Sequence, residues 1–143
     1  VAPLSALDRL VPLARWVAFS EPGLASWARG RTREAALRDA VALGPALALV
    51  TLGADGACWT DGSGSLHTHS APAVQARDTT GAGDVFHAAL ALALIEGRAV
   101  PDAVAWACAA AAFKCERGRG ADGAPTRREL AAWLRQRAGP TTA

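Results

Sequence analysis

Residues Asp78 to Asp84 read Asp-Thr-Thr-Gly-Ala-Gly-Asp and run directly into the apolar stretch Val85 to Ile95. Two glycines spaced by one residue at the mouth of a helix leave backbone N–H groups unpaired at the positive end of the helix dipole. Such a place attracts phosphate. Asp84, in the first turn, sets a carboxylate where a hydroxyl attacking that phosphate could lose its proton. A bare G-x-G turn is common, and glycine can stand there for backbone freedom alone. The acids on either side, Asp78 and Asp84, tip the balance, and the segment predicts a phosphoryl-transfer site.

The surrounding pattern alternates helices and strands. Leu7, Leu10 and Val11 space a helix over Leu4 to Arg15, blunted by Pro12. Trp16 to Phe19 reads as a short buried strand ending at Ser20-Glu21-Pro22-Gly23. Thr32 caps a helix to about Leu43 with Ala36, Leu37, Ala40 and Val41 on one face, and Gly44-Pro45 ends it. Ala46 to Leu52 is apolar throughout, as a strand covered on both faces would be. Ala57 to Thr60 and Leu66 to Ser70 predict a hairpin, and Val74 to Arg77 a further edge strand. Two alanine-rich helices follow, Ala82 to Glu96 closed by Gly97, and Pro101 to about Glu116, both apolar nearly all round and therefore expected inside the molecule. Gly118 to Gly123 reads as a flexible loop. Thr126 and Glu129 form a capping box for a last helix with Leu130, Trp133 and Leu134 on one stripe. The whole chain, 1–143, reads as one α/β unit.

Composition excludes several classes. A formal charge of +2 is too small to argue for nucleic acid or an anionic membrane. The late arginines (Arg117, Arg119, Arg127, Arg128, Arg135, Arg137) read as a solvated helix face, and Lys114 is the only lysine. Cys58, Cys108 and Cys115 are odd in number and have no C-x-x-C spacing, against a disulfide scaffold or zinc site. No signal peptide is visible and the longest apolar run is too short to span a bilayer, so the expected compartment is the reducing cytosol. His67 and His69 alternate on a short strand without a third ligand nearby, and five scattered tryptophans suit packing better than a sugar-stacking platform. A second glycine-spaced turn, Thr51-Leu52-Gly53-Ala54-Asp55-Gly56, leaves the end of the buried strand, where ligands bind in open α/β sheets.

The run Asp78-Thr79-Thr80-Gly81-Ala82-Gly83-Asp84-Val85-Phe86-His87-Ala88-Ala89 closely resembles the C-terminal signature of the ribokinase-like (PfkB) carbohydrate kinases. The likeness extends through Val50 to Gly56 and through Ala110 to Glu116. It implies a fold that is the C-terminal part of a three-layer α/β/α sheet with helices on both faces. It implies ATP and Mg2+, and a sugar as acceptor. Asp84 matches the catalytic base. Gly81, Ala82 and Gly83, with the amide of Asp84, match the anion hole. Thr51, Gly53 and Gly56 match the ATP site, Cys108 and Ala112 the walls of the adenine pocket or plain core. Asp78 and Thr80 match positions that in many members hold a monovalent cation such as K+. His87 stands where many relatives carry a small residue, and Asp84 already fills the base role.

Two departures from the family pattern stand out. Ser20 and Gly23 occupy the places of an Asn-x-x-Glu motif whose glutamate organises the magnesium shell, leaving Glu21 as a substitute. Complete members run to about twice this length, so the expectation is a C-terminal half, whose N-terminal half or a second copy would cover its exposed edges. The details look most like the ketose and sulfofructose kinase branch. A nucleoside kinase of the same fold and a non-catalytic nucleotide-binding remnant are the competing readings.

Overall fold

The computed structural model describes residues 5–138. Leu4, where the first expected helix begins, and the terminal residues 139–143 lie outside them. The chain divides between His69 and Ser70 into two compact units.

The first unit is built on a mixed sheet ordered β1-β2-β3-β4. Its strands are β1 (Trp16–Ser20), β2 (Leu47–Thr51), β3 (Ala57–Asp61) and β4 (Leu66–His69). β1 and β2 run parallel in the register Trp16↔Leu47 to Ser20↔Thr51. β2, β3 and β4 then run antiparallel to one another, as the expected hairpin requires. Parallel strands need a crossover, and here it contains α2 (Glu21–Ala28) and α3 (Arg33–Ala42).

A short α1 (Ala6–Leu10) precedes the sheet, opened by a reciprocal Ser5–Asp8 capping box. Thr32 caps α3 as expected, its hydroxyl accepting from the Ala35 amide at 3.2 Å. Ala36, Leu37 and Ala40 of α3 are wholly buried. They pack in one cluster with Phe19, Ala48, Val50, Cys58 and the α2 residues Leu24, Trp27 and Ala28. On the opposite side of the strands Leu47, Leu49 and Trp59 are buried too.

α2 is a correction. Ser20-Glu21-Pro22-Gly23 reads in sequence as a stop, yet the Ser20 hydroxyl accepts from the Gly23 amide at 3.1 Å and starts a helix. Pro22 lies in the first turn, where its missing N–H costs nothing.

The second unit is helical: α4 (Ala82–Ile95), α5 (Val100–Arg117) and α6 (Arg127–Arg137). α5 packs against both of the others. Ala109, Ala110, Ala112, Leu130 and Trp133 form its core, the alanines letting helices approach closely. The Thr126–Glu129 capping box forms as read.

Three expectations change here. Val74–Arg77 makes no strand: the amides of Arg77 and Asp78 turn instead to the Cys115 carbonyl at the end of α5, at 2.8 and 3.3 Å. Residues Gly120–Gly123 form a 3₁₀ turn where a flexible loop is expected. α4 is not enclosed all round: it buries Phe86, Leu90 and Ala93 but leaves Leu92 46 % and Ile95 72 % exposed. Three of the six late arginines are in ion pairs, Arg117 with Glu129, Arg127 with Glu96 and Arg137 with Glu116.

Candidate active site

In the second unit, the Asp78–Asp84 segment folds as a turn followed at once by α4. Gly81 is the N-cap residue at φ +76°, a left-handed conformation that strains residues with a Cβ. The Ala82 amide donates back to Thr79 O at 3.0 Å and the Val85 amide to Gly81 O at 3.0 Å. Between them, the amides of Gly83 and Asp84 have no acceptor among the described residues and no side-chain cap covers them. Asp84 stands exposed in the first turn, with Oδ2 3.9 Å from where a Cβ on Gly81 would lie. Free amides, the helix dipole and an exposed carboxylate thus meet within one turn. That arrangement can receive an anionic group and take a proton from a neighbouring hydroxyl.

Beside it lies an open groove of about 370 Å³ that reaches from Gly81 and Asp84 along Val85 and Ala88 to Trp106 and Pro125.

Asp78 holds the loop in place. Its Oδ1 accepts from the Thr80 amide at 2.8 Å and its Oδ2 from the Gly120 amide at 2.9 Å. Lys114, fully buried, donates from Nζ to the Asp78 carbonyl at 2.9 Å and lies 3.4 Å from Oδ2. The Thr80 amide first, then its hydroxyl, the Gly120 amide and Lys114, keep the Asp78 carboxyl far below the usual carboxylate range.

The turn Thr51–Gly56 belongs to the first unit. Thr51 ends β2 with its hydroxyl 3.4 Å from Phe19 O. Gly53 (φ +57°) opens a 3₁₀ turn, which Gly56 (φ +95°) closes, and the Leu52 amide donates to Gly56 O at 2.8 Å. Both glycines adopt backbone angles that other residues rarely reach.

A family model described as "pfkB family carbohydrate kinase" matches residues 2–127. The chain belongs to the pfkB family. It is 39 % identical over 97 residues to ribokinase of Bacillus subtilis, a match covering 68 % of this chain and 33 % of that kinase. Its structure resembles Arabidopsis thaliana ribokinase complexed with ribose and ATP (TM-score 0.78, 29 % identity, 87 % of this chain and 42 % of that one). It also resembles a fructokinase double mutant from Vibrio cholerae in a form bound to fructose, ADP and potassium ion (TM-score 0.76, 34 % identity, 88 % and 42 %). The fold is therefore ribokinase-like α/β, and the chain spans less than half the length of the relatives it matches.

Ala112 lies in the helical core and Cys108 is 3 % exposed. Neither lines the groove, whose α5 residues are Trp106 and Ala110. Burial pushes the Cys108 thiol up to about 11. Ser20 and Gly23, which the resemblance would set in an Asn-x-x-Glu motif, form the cap of α2, and Glu21 is paired with Arg33 at 3.2 Å. His87 Nδ1 lies 2.6 Å from Gly83 O, within its own helix. His67 stacks on Trp59 at 5.4 Å, and the described residues contain no cluster of three or more metal-ligating side chains. The sequence reading missed Lys114. The signal was present: the single lysine of an arginine-rich chain directly follows the apolar run Ala109 to Phe113.

Proposed function

We propose that this chain carries the phosphoryl-transfer centre of an ATP-dependent sugar kinase. The observation that supports it most is the first turn of α4, where two unpaired amides and an exposed aspartate share one opening. Asp84 would accept the proton of a sugar hydroxyl as its oxygen attacks the γ-phosphorus of ATP. The bond from that phosphorus to the β–γ bridging oxygen breaks, and ADP leaves. Gly81, Ala82 and Gly83, with the Asp84 amide, would hold the charge that develops on the migrating phosphoryl group.

Thr51, Gly53 and Gly56 would border the nucleotide, their backbone permitting close approach. Cys108 and Ala112 would support the wall of the adenine site from within α5. No carboxylate cluster offers Mg2+ a protein cage among the described residues, so the phosphates of the nucleotide and water would hold most of its shell. There it would neutralise charge on the phosphates. The acceptor is taken as a sugar because ribose and fructose accompany the nucleotide in the related structures.

The test is ATP binding and sugar-dependent ADP release, measured on the chain and on the longest polypeptide that carries it. Asp84→Asn is expected to keep ATP affinity within about threefold and to lower turnover by about a hundredfold or more. Unchanged turnover would remove Asp84 from the reaction. ATP binding with no turnover by the unaltered long polypeptide would instead identify a nucleotide-binding remnant.

A further inference from the structure

Lys114 is one lysine beside fourteen arginines, and among the described residues it is the one basic side chain that is wholly buried. A lone buried ammonium is costly unless oxygens surround it. Here the oxygens are those of Asp78, the carbonyl at 2.9 Å and Oδ2 at 3.4 Å. A compact ammonium fits such a place, whereas the wide planar fork of an arginine does not.

These are also the oxygens that the family resemblance would offer to a monovalent cation. A potassium ion does not fit the arrangement. Oδ1 is occupied by the Thr80 amide, Oδ2 by the Gly120 amide and Lys114, and the carbonyl by Lys114. A second cation within a few ångströms would face the ammonium's repulsion, at oxygens that each already accept from an N–H.

We propose that the Lys114 ammonium is a built-in monovalent cation. It ties the end of α5 to Asp78, and Asp78 in turn fixes the Thr79–Gly81 turn that leaves the Gly83 and Asp84 amides open. Lys114 is a positioning residue in this account, and the chain needs no K+. The idea builds on the proposed phosphoryl site for its consequence, but the site occupancy it describes can be measured without ATP.

A chain labelled with [15N]lysine gives a single side-chain signal. The expected result is an Nζ resonance whose protons are protected from exchange. Rapid exchange, like that of a lysine in water, would overturn the proposal. Melting of the unaltered chain in KCl, NaCl and N-methylglucamine chloride at equal ionic strength is expected to coincide. A saturable stabilisation specific to K+ would show that the ion, not the ammonium, is at home there.

Lys114→Met should acquire a K+-specific rise in melting temperature of about 2–8 °C, and Lys114→Arg should not restore the parent stability. A folded methionine variant indifferent to K+ counts against the proposal. If that variant does not fold, the NMR and salt measurements on the unaltered chain still decide it. Protected Nζ and salt-independent melting in a chain that binds no ATP would retire the kinase reading and keep the cation assignment.

Discussion

At Gly81 one residue carries both backbone and chemistry. Its φ of +76° costs a residue with a Cβ about 1–2 kcal/mol, and a methyl there would lie 3.9 Å from Asp84 Oδ2. Gly81→Ala should therefore lower the urea midpoint by an amount equivalent to about 1–2 kcal/mol. It should also weaken phosphate binding, read by titration calorimetry with ATP. Cys108 offers a second residue-level check. Burial raises its thiol to about 11, so the folded state keeps the proton longer than the unfolded chain does. Its contribution is complete below the unfolded value near ~8.5 and is lost as pH rises toward 11. Native labelling with a thiol reagent near neutral pH should modify half-buried Cys115 before Cys108.

Helix by helix, apolarity and burial separate. In α4, Leu90 is 4 % exposed and Ile95 72 %, although both stand in one unbroken apolar run. Leu90→Ala should cost about 2–5 kcal/mol and Ile95→Ala no more than about 0.5 kcal/mol, by urea unfolding. The caps are local and legible. Thr126 accepts from the Glu129 amide at 3.2 Å, and Glu129 Oε2 accepts from the Thr126 amide at 2.8 Å. Thr126→Ala should destabilise by about 1 kcal/mol, measured as a lower melting temperature. α2 is hard to see in the sequence because proline followed by glycine reads as a breaker. Its meaning reverses when a serine two residues before the proline caps a helix that then buries Leu24, Trp27 and Ala28. Val74–Arg77 makes no strand for a related reason: an alternating segment becomes a strand only if another strand is there to pair with it.

Across the molecule six carboxylates share one direction. Asp78, Glu96, Glu129, Asp8, Asp61 and Glu34 all titrate below their ordinary values. Amides, hydroxyls and guanidinium partners favour their charged forms. Such groups contribute stability that is fully present above the unfolded carboxylate range near ~4 and is lost as pH falls through the folded values. Stability on their account should be flat from about pH 7 to 5 and fall below about pH 4, followed by tryptophan fluorescence in urea. A midpoint that drops between pH 7 and 5 would overturn this account. These groups belong to both units, so the acid response should appear in each.

Local chemistry is what the chain determined by itself. The Thr32 and Thr126 caps, the β2 strand, the β3–β4 hairpin and the Asp78–Asp84 helix mouth depend on neighbours a few residues apart, whose spacing the sequence displays. The family signature adds the role expected of Asp84. Tertiary structure decided whatever depends on partners distant in sequence. It chose which face of α4 meets water, turned the Arg77 amide to an α5 carbonyl instead of a strand, and brought Lys114 to Asp78 across thirty-six positions. An ammonium buried among oxygens is favourable or ruinous according to where those oxygens lie, and only the folded backbone puts them there.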